Sequence, residues 1–240
     1  ASIGYKAFNY CAALSSIDLP ASLESIGAEA FAGCGQLASI TIPASVASIG
    51  EGPFWSCRSL ASISVASGNP SYVAEDGILY SADKTTLVQY PMAKAGTSFE
   101  IPSTVTGVGA FACYGNSNLR SIVLPASVKS LGYRSFDFCD GLVSVALPSA
   151  LETIGDLAFY DCYALPSISI PASVTSIGRY AFGRCFALLA VSFASDAPAA
   201  LGEAVFSADD AVATYNAGLE LRVPASADYG VINAYKAAWP

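Results

Sequence analysis

The sequence contains no histidine in 240 residues. That removes Ser-His-Asp and Cys-His nucleophile pairs and the usual histidine-containing zinc sites. Charge is scarce as well. Charged residues make up 12% of the chain, 19 acidic against 11 basic, which gives a net charge of −8 and a pI near 4.4. Such a balance argues against nucleic acid or an anionic membrane as the main partner, since either calls for a basic stripe. No stretch approaches ~18 uninterrupted apolar residues without Gly, Ser or a charge, so no spanning helix is expected. No G-x-x-x-x-G-K-S/T occurs, so the glycines match no phosphate loop. No Lys or acid accompanies the many serines at regular spacing, and a Ser-Lys mechanism has no support.

What the chain does have is a repeat. From Ile26 to Ser48 it reads I-G-A-E-A-F-A-G-C-G-Q-L-A-S-I-T-I-P-A-S-V-A-S, and the pattern I-G-x-x-x-F-x-x-C-x-x-L-x-S-I-x-I-P-x-S-V-x-S returns 23 residues later. Copies begin at Ile3, Ile26, Ile49, Leu131, Ile154 and Ile177, with a distorted one at Val108. A fixed period of this length marks a solenoid, in which each unit is too short to bury its own apolar face and must stack on its neighbours. The expected organisation is one solenoid over 1–240, with an insertion at 66–101 and a partial repeat and capping helix at 195–240.

Two periodicities alternate inside each unit. Ala7, Phe8, Cys11 and Leu14 fall three and four apart, the spacing of one helical face. Ile17 and Leu19 alternate with Ser16 and Asp18, the period of a short strand with one buried side, and Pro20 ends it. Leu23 and Ile26 form a second short buried segment. The reading is an α/β repeat solenoid, with a parallel sheet of short strands and short helical turns on the other side.

Columns explain the conspicuous residues. Cys11, Cys34, Cys57, Cys113, Cys139, Cys162 and Cys185 share one repeat position, three residues after Phe, or two for Cys113. Stacked coils hold neighbouring positions about 5 Å apart, whereas a disulfide wants Cβ atoms about 4 Å apart. A ladder of buried thiols is therefore expected. Ser16, Ser39, Ser62, Ser121, Ser144 and Ser167 likewise fill one column and predict a neutral, hydroxyl-lined face. Charge supports in-line stacking: Lys6/Glu29, Lys129/Glu152, Asp156/Arg179 and Asp161/Arg184 are each 23 apart and opposite in sign.

The columns A-F-x-x-C-x-x-L-x-S-I-x-L-P-x-S-V-x-S-I-G closely resemble the BspA-like, Treponema pallidum-type leucine-rich repeats of bacterial surface proteins, over roughly 3–193 and more loosely at the C-terminal end. The resemblance implies a right-handed leucine-rich-repeat superhelix on a secreted or surface-anchored bacterial protein. Members are associated with adhesion to host matrix proteins or to other cells. The chain enters the pattern in mid-repeat at Ile3 without a polar cap, so the parent protein is expected to continue N-terminally, with signal and anchor outside this chain.

Function, if local, is expected where the repeat is broken or decorated. Between Ala66 and Ile101, Ile78-Leu79-Tyr80 and Leu87-Val88-Gln89-Tyr90 flank a turn and read as an inserted β-hairpin that projects from one edge. It is either functional or a structural subtype of repeat. At the C-terminus, Ser226 is a candidate N-cap for a helix presenting Ile232, Tyr235 and Trp239 to the exposed end of the core. Asp137, Asp140 and Asp161 are expected close together, as a solvated charge patch or a Ca²⁺ site. The decorating aromatics are Tyr10, Trp55, Tyr114, Phe138, Tyr160, Tyr163 and Phe186. With the Phe column already inside, these seven are expected to be partly exposed, either tiling over one another as a shield or forming a ligand-binding surface.

The leading expectation is a non-catalytic bacterial surface or secreted protein for adhesion-type recognition of an extracellular protein or glycan. No catalytic residue, metal or cofactor is assigned. The alternative is a structural spacer that displays another domain.

Overall fold

The computed structural model describes residues 1–196, 199–206 and 219–223, and the expected capping helix lies outside them. Coils one to three begin at Ile3, Ile26 and Ile49, and coils four to seven at Val108, Leu131, Ile154 and Ile177. Two strand columns run along the stack. One holds two-residue strands, Ser2–Ile3, Ser25–Ile26 and Ser48–Ile49 on one side of the insertion and Gly107–Val108, Ser130–Leu131, Thr153–Ile154 and Ser176–Ile177 on the other. The second holds the longer strands, including Ser39–Ile42, Ser62–Val65, Ser121–Val123 and Ser167–Ile170. Pairing between coils is parallel and in line, as with Ser25↔Ser48 and Ile40↔Ile63. Serine thus sits beside serine on the outer face, while Ile40, Ile63, Ile122 and Ile168 fill the inside.

The turn side departs from expectation, since the described residues contain no helix. The helical spacing correctly puts Phe31, Cys34 and Leu37 inward, all fully buried. Their backbone, however, alternates. The N–H groups of Glu29, Phe31 and Gly33 donate to the carbonyls of Glu51, Pro53 and Trp55 in the next coil, each at 2.9 Å. Those of Ala30, Ala32 and Cys34 instead fold back three residues, to Gly27, Glu29 and Phe31. A helix would direct all of them along its own axis. Every fourth residue accordingly turns left-handed, as at Lys6 (φ 57°) and Tyr10 (φ 56°), or Leu157 (φ 56°) and Asp161 (φ 57°). Such a residue costs roughly 1–2 kcal/mol, which inter-coil hydrogen bonding offsets.

The cysteine column has a definite role. All seven thiols are free and all but Cys11 are buried. The thiols of Cys34, Cys57, Cys162 and Cys185 donate to the carbonyls of Phe8, Phe31, Phe136 and Phe159 in the preceding coil, at 3.1 to 3.2 Å. Cys113 departs from the predicted column. Cys139 Sγ donates to its carbonyl at 3.2 Å, and its own N–H reaches Ser135, the bonding of a Phe-column residue. Asn116 takes the cysteine position instead, buried and donating to the Cys113 carbonyl at 3.0 Å. The Phe ladder, stacked from Phe8 to Phe54 and again from Phe136 to Phe206, is interrupted at this coil.

The insertion does not project from an edge. Its three strands, Tyr72–Glu75, Ile78–Ser81 and Thr86–Gln89, pair antiparallel with one another, and the last then pairs parallel with Gly107–Val108 of coil four. They form a plate that divides the core. Leu79 faces the core of coils one to three, while Ile78 and Tyr80 face that of the later coils. A strand that reads Ile-Leu-Tyr without a polar alternate is buried on both sides, and this burial excludes a free hairpin. Tyr80 and Tyr90, both large and buried, lie in the same core as the undersized Cys113.

Of the four opposite charge pairs, Lys6–Glu29, Lys129–Glu152 and Arg184–Asp161 form ion pairs at 3.4, 3.6 and 3.0 Å. Asp156 instead accepts the backbone N–H of Arg179 at 2.8 Å, and the Arg179 side chain reaches Glu203 at 3.2 Å.

Candidate functional site

Among the described residues, the turn-side hydrogen-bond ladder breaks between coils three and four. Coil two reaches coil three through three N–H groups, yet among the described residues none of the corresponding groups of Gly52, Phe54 and Ser56 donates to coil four. The Ala112 carbonyl there accepts from Tyr90 of the insertion instead, at 2.6 Å. The inserted plate supplies strands but only a short Pro91-Met92-Ala93 crossing on this side. The aromatics of coils three and four therefore meet directly across a seam.

Trp55 occupies the centre of this seam. It stacks on Phe111 at 5.6 Å between ring centroids, with Tyr114 edge-on at 5.3 Å and Tyr10 edge-on at 6.1 Å. Tyr133 meets Phe111 edge-on at 5.2 Å, and Tyr114 continues to Phe138 at 5.5 Å. Gly52 makes the stack possible: its φ is +55°, and a Cβ there would sit 2.7 Å from the Phe111 ring. Four of the seven predicted residues, Tyr10, Trp55, Tyr114 and Phe138, are thus gathered at the break in the repeat. The other three, Tyr160, Tyr163 and Phe186, form a second group around Arg184, whose guanidinium lies 5.7, 5.9 and 5.7 Å from their ring centroids.

Two further residues of the seam carry little signal in the sequence. Phe111 passes for the buried Phe of its repeat, and only the two-residue spacing to Cys113 signals that it has moved. Tyr133 follows Leu131-Gly132 at the position Tyr5 holds in coil one, an outward column that only a comparison of those two tyrosines would reveal.

The seam opens as two grooves that share Tyr114. One, of about 500 Å³, is lined by Tyr10, Trp55, Phe111, Tyr114 and Tyr133 together with Glu29, Glu51 and Arg134. The other, of about 610 Å³, runs past Met92, Phe138, Arg58 and Asp140. Both fall within the size range of ligand sites. The Trp55 indole N–H donates to Glu29 at 3.3 Å. The turn side also carries carboxylates expected to be solvated but in fact buried. Asp137 is fully buried and pairs with Arg134, while one of its oxygens, Oδ1, has no hydrogen-bond partner among the described residues. Burial pushes its carboxyl up to about 7, and the opposing Arg134 charge reduces the effect. Burial likewise raises the Tyr114 hydroxyl to about 12, with the Asp137 charge adding to it. Asp161 is also buried, against Arg184, whereas Asp140 is exposed. Among the described residues no three acidic or cysteine side chains converge as a metal site.

Similar architectures are known. The crystal structure of a leucine rich cell surface protein from Faecalibacterium prausnitzii A2-165 is 29% identical with a TM-score of 0.83, covering 97% of this chain and 59% of that one. That of the pneumococcal vaccine antigen PcpA is 25% identical with a TM-score of 0.75, covering 94% of this chain and 60% of that one. A leucine-rich repeat protein from Eubacterium ventriosum is 28% identical over 81% of this chain and 57% of that one, with a TM-score of 0.51. The chain thus spans about three fifths of the length of these solved structures. No curated protein matches it. The family model described as the BspA type leucine rich repeat region matches in six copies, over residues 1–81 and 92–212. With most of its length matched, the chain belongs to the BspA type leucine rich repeat family.

Proposed function

We propose that this chain is a non-catalytic recognition module of a bacterial surface or secreted protein, adhesion-type, which contacts an extracellular protein or glycan through its turn side. The observation that carries the reading is the coincidence of the ladder gap with the aromatic grooves. Exposed and half-buried aromatic rings beside a break in an otherwise uniform scaffold suit a contact surface, because they offer large apolar area with polar tips at little entropic cost. The described relatives, one a cell surface protein and one a vaccine antigen, support a surface location. The test is an array of matrix proteins and glycans probed with the wild-type chain and with Trp55→Ala. Binding lost in the variant supports the reading. Full retention would sink it, and an array on which the wild type binds nothing would favour the spacer.

A further inference from the structure

We propose that the groove beside Trp55 takes a basic side chain, Lys or Arg, presented by an extended segment of a protein partner. The inference rests on the seam being the recognition surface and adds the chemistry of what it recognises.

Charge accounting around the groove points this way. Arg134 is committed inside the protein: its guanidinium pairs with buried Asp137, donates to the Tyr133 hydroxyl at 2.9 Å and lies over the Tyr133 ring. Lys6 is paired with Glu29 at 3.4 Å. Glu51, exposed at the groove wall, makes no ion pair among the described residues. One carboxylate is therefore left over in a groove walled by Tyr10, Trp55, Phe111 and Tyr114, within a chain of net charge −8. Aromatic faces attract cations through their quadrupole, and a carboxylate alongside reinforces the attraction.

Ring stacking and unpaired charge favour this ligand over a sugar. A sugar ring needs an open aromatic face flanked by donors as well as acceptors. Trp55 gives one face to Phe111, and its N–H is spent on Glu29. Arg134 donates through Nε to the Tyr133 hydroxyl and pairs through Nη1 with Asp137, so among the described residues the unpaired charge lining the groove is the Glu51 carboxylate, which matches an ammonium or guanidinium. The second groove continues the line beyond Tyr114 and has room for the residues flanking the inserted side chain.

The experiment uses the full chain with Trp239→Phe, which leaves Trp55 as the one indole of the two in the sequence. Its emission is followed on titration with pentaarginine, pentaglutamate and chitotetraose. Pentaarginine is expected to shift the Trp55 emission saturably, with affinity falling as salt rises. Glu51→Gln should weaken it about fivefold, whereas Glu100→Gln, an exposed carboxylate on a strand, should not. Equal binding of pentaglutamate, insensitivity to Glu51→Gln, or no response to pentaarginine would each overturn the basic ligand. A response to chitotetraose alone would overturn it too while leaving the seam as the recognition surface. That broader reading falls separately, on the array measurement with Trp55→Ala.

Discussion

Trp55 and Phe111 stack with their planes 20° apart across the gap in the turn-side ladder between coils three and four, although the whole inserted plate lies between them in sequence. The contact ties the interruption of the repeat to its aromatic decoration. It exists because the insertion adds strands to the stack without adding a full turn-side segment. Phe111→Ala should therefore cost about 3 kcal/mol, read as a lowered urea midpoint. A loss below about 0.5 kcal/mol would show that the seam is not packed as described.

The inserted plate separates two cores, and single truncations on one strand should act on opposite halves. Leu79→Ala is expected to raise amide exchange in coils one to three, and Ile78→Ala in coils four to seven, each at a cost of about 2–4 kcal/mol. Hydrogen exchange with mass detection reads both. Identical exchange patterns from the two variants would contradict a plate with one face to each side.

Thiol chemistry should follow depth. Burial pushes the Cys57 thiol up to about 12 and raises Cys113 well above its ordinary value, so these groups are both inaccessible and protonated at neutral pH. Native labelling with a maleimide should modify Cys11 rapidly and the six buried cysteines only after denaturation. Fast native labelling of Cys57 or Cys162 would be inconsistent with their bonds to the Phe carbonyls.

Asp137 should impose a pH dependence. Burial outweighs Arg134 and pushes its folded carboxyl up to about 7 against an ordinary value of 3.8, with Asp161, Tyr114, Cys139 and Cys162 also facing it. The folded protein holds this proton more tightly than the unfolded chain does. Its contribution therefore favours the fold below about pH 4 and declines as pH rises towards 7, with a limiting slope of about 1.4 kcal/mol for each tenfold fall in proton concentration. In Asp137→Asn this part of the decline should vanish between pH 4 and 7. An unchanged slope in the variant would contradict the burial of an ionisable carboxyl there.

The sequence makes stacking legible because stacking is columnar: Ile40 over Ile63, or Lys6 beside Glu29, follows from counting. The turn-side backbone is not legible. Its left-handed residues include Lys6, Tyr10, Leu157 and Asp161, side chains that carry no glycine-like signal. Apolar spacing of three and four also reports only which residues face inward, and two backbone paths satisfy it. The slip at Cys113 is half visible, in its short distance from Phe111, but Asn116 as a stand-in for cysteine is not. The meeting of Trp55 with Phe111 is a long-range consequence of how the insertion stacks. Local pattern does not encode it.

The most direct test of the central claim compares two triple variants on the same array of matrix proteins and glycans. One removes the seam aromatics (Tyr10→Ala, Trp55→Ala, Tyr114→Ala), the other the group around Arg184 (Tyr160→Ala, Tyr163→Ala, Phe186→Ala), with folding of each verified by its urea transition. The seam variant should lose wild-type binding while the Arg184-group variant keeps it. Binding retained by a folded seam variant, or lost only in the other, would contradict the account.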